Sequence, residues 1–290
     1  MSFLPTQFQV LSDLHLETPL SAPQYTTYNI DAEASNILLL GDLGIVKHED
    51  FFIFLRRTLD RNRGSRIFFI LGNHEAYQTT LAQATHTLRK FEQKCSKDFG
   101  SRFRFLSRDR YDVNGTITIL GCTLWTNVLP EQASQVHARL TDFHPERGIR
   151  DWTLESLAGE HAKDLGWLNA VVRDIQANEP HRQVVVATHH CPTTDSRAMS
   201  PKNAGSTVSS GFVNELEGEV CWTSRVVKMW AFGHTHYSCC FLDDETEKLL
   251  VSNQKGYVGV GGGGKSSSEN IGESIVEVSD GKWQIVNKGS

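Results

Sequence analysis

Nowhere in the 290 residues does an uncharged apolar run approach the ~18 residues of a membrane-spanning helix. The opening stretch MSFLPTQFQV also lacks the basic start and sustained apolar core of a secretory signal. The chain therefore reads as cytoplasmic, with no membrane partner. A basic excess is missing too: 29 Lys and Arg against 34 Asp and Glu leave a net charge of −5. No general electrostatic footprint for nucleic acid exists, so any phosphate recognition has to be local. Cysteine is sparse, with six residues and no C-x-x-C pair, and a chain this long needs no disulfide staples, so reduced thiols are expected. Adjacent Cys239 and Cys240 alternate faces of a strand pattern and read as buried small apolar filler rather than as soft metal ligands. No internal repeat occurs, and no linker divides the chain into halves. A hydrophobic fraction of 39% with 22% charged residues fits one globular α/β domain over 1–290.

What is present is a series of short apolar runs that stop abruptly at polar residues. Residues 8–11 precede Ser12-Asp13, 37–40 precede Gly41-Asp42, and 67–71 precede Gly72-Asn73; 184–187 before Thr188-His189 and 229–232 before Gly233-His234 repeat the design. Runs of ~4–8 apolar residues bounded this way predict strands buried on both faces. Between them, 49–61 carries Phe51, Phe52, Leu55 and Leu59 at helical spacing, 80–91 is amphipathic, and 154–175 supplies Leu157, Leu165, Leu168, Val172 and Ile175. Alternating strands and helices predict a sheet with a large parallel or mixed component. Asn114-Gly115 signals a turn ahead of the alternating residues 116–120, and Asp280-Gly281 a hairpin joining 275–279 to 282–286. Residues 127–160 mix Pro130, His144, Pro145 and Gly148 with several charges and read as an insertion over one rim of the sheet.

The chemistry sits at the strand ends. In order they carry Asp13-Leu14-His15, Gly41-Asp42, Gly72-Asn73-His74-Glu75, Thr188-His189-His190 and Gly233-His234-Thr235-His236. In an open α/β sheet, ligands bind outside the carboxyl ends of the strands, so residues far apart in sequence can converge there. Asp13 and His15 project from one side of an extended segment, as do His234 and His236. Imidazole, carboxylate and one amide oxygen form a mixed N/O set suited to Mn, Fe or Zn, sufficient for two metals sharing one ligand. Two divalent ions with only Asp13 and Asp42 as anions would keep a formal charge of about +2, attractive to a phosphoryl group and able to ionise bound water.

This series resembles the calcineurin-like metallophosphoesterases, whose motifs D-x-H, G-D, G-N-H-[DE], H and G-H-x-H occur here in order and with similar gaps. The segments GCTLWT at 121–126, LTDF at 140–143, THHCP at 188–192 and SNQKGY at 252–257 extend the likeness to a branch of intracellular members. The resemblance implies a four-layer sandwich of two central mixed β-sheets flanked by helices. It implies that Asp13, His15 and His236 bind one metal, that Asn73, His189 and His234 bind the other, and that Asp42 bridges them. His74 would be the non-ligand histidine beside the scissile phosphate, and the reaction would be phosphoester hydrolysis by a hydroxide held between the metals. Ser/Thr protein phosphatases of this superfamily show D-x-H-G and G-D-x-V-D-R-G, whereas Leu16 follows His15 and Leu43-Gly44-Ile45 follows Asp42. Protein phosphatase activity is therefore disfavoured.

The expected substrate is a small phosphoester, with phosphodiesters or nucleotides ahead of phosphomonoesters and with no obligate protein partner. The competing class is a non-catalytic metal-binding interaction module on the same fold, as in a retromer subunit of this superfamily; here no ligand position and no catalytic histidine is lost. Strand alternation prevents His189 and His190 from being equivalent ligands, and the resemblance selects His189. Glu75, Tyr77, Trp125, His144 and Arg147 are candidates for shaping the substrate pocket, Glu75 also for orienting His74. Residues 259–266 match the phosphate-cradling pattern G-x-x-x-x-G-K-[ST]. No helical period follows in 266–272, so a glycine-rich loop is expected there instead.

Overall fold

The computed structural model describes residues 5–257, 275–279 and 281–286, and its strands grow from the apolar runs. The first sheet holds β1 (Thr6–Leu11), β2 (Asn36–Leu39), β3 (Arg66–Ile70) and β4 (Phe103–Leu106), parallel and in that order. The second is built from β5 (Asp109–Asp112), β6 (Ile117–Cys122), β7 (Gln183–Thr188), β8 (Val227–Ala231), β9 (Cys239–Leu242) and β10 (Leu249–Ser252). Its order is β5-β6-β7-β8-β10-β9, with a parallel centre and an antiparallel strand at each edge. A hairpin of β11 (Ile275–Ser279) and β12 (Lys282–Val286) closes the first sheet by pairing antiparallel with β1. Two mixed six-stranded sheets result.

The helices follow their apolar stripes. Helix α1 (Glu49–Arg61) matches the expected span. Helix α2 (Leu81–Phe99) is capped by Thr80, whose side chain accepts the N–H of Gln83, and continues beyond Phe91 because Cys95 prolongs the buried row of Ala84, Leu88 and Phe91. Short α3 (Ala133–Arg139) is followed by α4 (Leu154–Asn178), capped by Thr153, and by one turn of α5 (Val220–Thr223). Residues 154–160, read as the end of an insertion, are the first turns of α4. The P-loop-like stretch 259–266 and Asp280 lie outside the described residues.

Alternation along each strand divides the core into three slabs. Phe8, Val10, Leu38, Leu40, Phe68 and Ile70 of the first sheet meet Ile119, Val185, Ala187, Met229, Ala231 and Val251 of the second. Their neighbours Ile37, Leu39, Ile67 and Phe69 face outward onto Phe51, Phe54, Leu55 and Leu88 of α1 and α2. On the far side Leu120, Val184, Val186 and Trp230 pack against Leu168, Val172 and Ile175 of α4. The layers run helix, sheet, sheet, helix. Among the described residues no helix is long and apolar enough to cross a membrane.

Phe68 is fully buried in the slab between the sheets, its ring 4.9 Å from that of Tyr111. Phe68→Ala is expected to destabilise the protein by about 3–5 kcal/mol through lost apolar burial and the cavity left behind. Guanidinium unfolding checks this, and a loss below about 1 kcal/mol would contradict face-to-face packing of the sheets.

Candidate metal centre

The parallel strands of both sheets deliver their C-terminal ends to one edge, where the chain turns away sharply. Asp13, His15, Asp42, His234 and His236 all take left-handed backbone angles, with φ between 45° and 68°. Non-glycine residues adopt this region sparingly, and such strain persists only where the surroundings impose it. Here the loops bind one another: Asp13 N–H donates to Gly41 O at 3.0 Å, His15 N–H to Asp42 O at 2.9 Å, and Gly233 N–H to His189 O at 2.8 Å. The approach is too close for side chains at several glycines of these loops, Gly41 and Gly72 among them. A Cβ on Gly72 would collide with Asp42 Oδ1, and one on Gly41 would stand 2.6 Å from His189 Nδ1.

Seven side chains converge. His15 Nε2 lies 2.9 Å from His236 Nε2, which lies 3.4 Å from Asp13 Oδ1. On the other side of Asp42, His189 Nε2 is 3.0 Å from Asn73 Oδ1, 3.1 Å from His234 Nδ1 and 3.5 Å from Asp42 Oδ1. Asp42 Oδ2 reaches back to within 3.9 Å of His15 Nε2. Asp42 thus stands between two groups, Asp13 with His15 and His236, and His189 with His234 and Asn73.

The donor chemistry fits metal ions. Each of three histidines has one ring nitrogen against an oxygen: His15 Nδ1 faces Glu17 at 3.2 Å, His189 Nδ1 the Leu40 carbonyl at 2.7 Å, and His234 Nε2 the Gly211 carbonyl at 3.3 Å. Those contacts select tautomers whose remaining lone pairs point at one another. Asp13 Oδ2 accepts from Ser12 Oγ and from the His234 N–H, whereas buried Oδ1 has no hydrogen-bond partner. Ligand atoms about 3.0–3.4 Å apart are what bonds of ~2.1 Å to a common ion produce. Asn73 is aimed by Asp142, which accepts its Nδ2–H at 2.8 Å and so turns Oδ1 toward His189.

Electrostatics point the same way. Burial pushes His15 and His189 down to about 4, and His234 well below the usual imidazole range, which keeps them in the neutral state that ligates metal. Burial alone would raise Asp13, but hydrogen bonding and charge at His236, with His189 and His15, hold it well below the usual range. His74 behaves oppositely. Burial disfavours its charge, yet Asp42 and Glu17 together raise it to about 9. Among the described residues no Lys or Arg forms an ion pair with Asp13, Glu17 or Asp42.

The residues proposed for the pocket separate into two sets. Tyr77 reaches the site: its ring lies 4.2 Å from that of His74, and its hydroxyl donates to Asp142 at 2.7 Å. Glu75 does not. It is fully buried beneath the loops and accepts backbone N–H groups from Gly72, Asp42 and Leu43 at 2.8, 3.0 and 2.8 Å, so its oxygens are spent on the backbone. Trp125 packs against Trp152 and His190, His144 caps the N–H groups of Glu146 and Arg147, and Arg147 is exposed; none of them lines the cavity over the cluster. His190 turns its ring to Trp125 and His234, and His189 presents Nε2 to Asp42. Asp142 and Glu17 are among the contributors that escaped the sequence reading. Asp142 lies inside a segment noted only for its likeness, and Glu17 falls just past the D-x-H block, two residues beyond His15 and in phase with it. Glu17 Oε1 binds His15 Nδ1 at 3.2 Å and His74 Nδ1 at 2.8 Å.

The family model of the calcineurin-like phosphoesterases matches residues 7–238. The chain belongs to that family. Relatives of this phosphoesterase include the uncharacterized protein L509 of Acanthamoeba polyphaga mimivirus, 22% identical over 232 residues that cover 76% of this chain and 78% of that protein. Among solved structures it is similar in fold to the phosphopantetheinyl hydrolase PptH of Mycobacterium tuberculosis. That likeness has a TM-score of 0.55 at 13% identity and covers 87% of this chain and 90% of the other.

Glu75→Ala leaves buried N–H groups of two strand-end loops unpaired and is expected to cost about 3 kcal/mol or more, read by urea unfolding; a neutral substitution would show that the loops hold without it. In metal-free protein, imidazole NMR should find His74 still protonated at pH 8, below its midpoint of about 9. His15 and His189 should be neutral at pH 6, above their midpoints of about 4. Glu17→Gln removes one of the charges that raise His74, so its midpoint should fall; a midpoint that stays in place rejects that cause.

Proposed function

We propose that the protein hydrolyses phosphoesters at a two-metal centre, with diesters preferred to monoesters. The observation that carries this reading is the pair of N/O groups that share Asp42, with His74 Nε2 only 3.8 Å from Asp42 Oδ2. Asp13, His15 and His236 would hold one ion, Asn73, His189 and His234 the other, and Asp42 both. Manganese, iron and zinc all suit these donors. Bound ions supply Lewis acidity toward the phosphoryl oxygens and an acidified water. His74 is oriented by Glu17 at Nδ1, which leaves Nε2 to serve the departing oxygen. Tyr77 packs on the His74 ring and restricts its rotation.

Support for diesters comes from the space beside the cluster. A cavity of about 420 Å³ extends from Asp42 and His234 to a wall of Leu140, Met199, Val208 and Phe212, with Arg139 the cationic side chain among its described lining residues. An uncharged second ester arm suits such a wall better than the extra negative charge of a monoester. In this reading 127–160 belongs to the same domain and contributes Arg139, Leu140, Thr141 and Asp142 to the cavity rim.

Manganese-loaded protein should hydrolyse bis(4-nitrophenyl) phosphate faster than 4-nitrophenyl phosphate, and elemental analysis should find two ions per chain. A strong excess for the monoester would reverse the preference. His74→Ala should lower kcat by about 10²–10⁴ while both ions stay bound, whereas Asp42→Asn should lose metal. An unchanged rate in His74→Ala would indicate a scaffold that binds metal without turnover.

A further inference from the structure

Tyr257 stands at the mouth of the cavity, 41% exposed, yet its ring is fixed in place. It stacks on His15 with centroids 4.2 Å apart and 29° between the planes, and meets His236 edge-on at 4.9 Å. The turn before it is set by Gly256, whose N–H donates to the Asp13 carbonyl at 2.9 Å. Tyr257 Oη comes to rest 3.0 Å from His74 Nε2.

The order of hydrogen bonds follows from Glu17. Its carboxylate accepts the proton on His74 Nδ1, so Nε2 is the nitrogen left for chemistry. That nitrogen faces a phenol before it faces the cavity. A phenolic oxygen can accept one hydrogen bond while donating its own proton onward. We propose that Tyr257 is a further catalytic residue, which hands the proton to the departing ester oxygen and is resupplied by His74.

This proposal rests on the hydrolase reading above. As the bond between phosphorus and the leaving oxygen breaks, its electron pair stays on that oxygen, which takes the proton of Tyr257 Oη. The pair released on Oη takes the proton of His74 Nε2. The hydrolytic water gives its hydroxyl to phosphorus, and its other proton restores Nε2–H, so proton and charge balance over the cycle.

Tyr257→Phe keeps the stacked ring and removes only the hydroxyl. With metal content and thermal midpoint retained, kcat on diphenyl phosphate, whose phenolate is a poor leaving group, should fall by about 100-fold. The fall on bis(4-nitrophenyl) phosphate, whose leaving group needs little protonation, should be much smaller, and KM should move little for either ester. Equal losses on the two esters, or a change confined to KM, would overturn the relay and leave the hydrolase reading standing. Wild-type protein inactive on both esters would overturn the hydrolase reading itself. Should Tyr257→Phe fail to fold or to hold metal, 3,5-difluorotyrosine at position 257 preserves shape and acidifies the phenol. The rate on diphenyl phosphate must then change, and a rate that does not respond rejects the relay.

Discussion

Five carboxylates, those of Asp13, Glu17, Asp42, Glu75 and Asp142, are buried at or beneath one edge of the two sheets, and burying each as an ion costs several kcal/mol unless something replaces the lost water. The chain itself meets this constraint in two ways. Backbone N–H groups surround Glu75. Polar side chains bind Glu17 and Asp142: His15 and His74 for the first, Tyr77 and Asn73 for the second. Asp42 has only the His74 N–H at its Oδ1, Asp13 Oδ1 has no hydrogen-bond partner, and no Lys or Arg pairs with either residue among the described residues. Burial accordingly drives Asp42 toward its neutral form in the protein alone. The neutral histidines alongside complete His/Asp groups that could hold metal ions, whose charge would offset these carboxylates.

Holding those groups together requires backbone geometry that most residues avoid. The turns at Asp13, His15, Asp42, His234 and His236 run through positive φ. They are stabilised by their own cross-loop hydrogen bonds and by two sheets whose buried strands leave the loops little freedom. His189 joins the sheets at this edge, since it follows β7 yet donates to the Leu40 carbonyl after β2. Glu75 performs a related task within the first sheet by tying Gly72 to Asp42 and Leu43.

Much of the fold was legible because its signals are local. The central strands are apolar on both faces, so each run ends where the chain leaves the core. Thr80 and Thr153 cap their helices as short polar side chains do elsewhere, and Asn114 accepts the N–H groups of Thr116 and Ile117 at the turn into β6. Strand β4 was less visible, because only Phe103, Phe105 and Leu106 mark it and its identity comes from pairing with β3. Strand β5 carries no apolar run at all and exists through its antiparallel partner β6.

By itself the sequence determined which residue types end the strands and in what order, because a metal-binding donor set and a strand boundary are both written in adjacent residues. It also determined the glycines at 41 and 72, which the crowded loops require. Tertiary structure alone decided that Glu17 and Tyr257 flank the two nitrogens of His74, that Asp142 aims Asn73, and that Glu75 belongs to the backbone instead of the pocket. The reason is physical: a ligand motif is a short-range pattern, whereas the partner of a buried nitrogen or carboxylate is whichever distant loop the packed sheets bring within 3 Å or so of it.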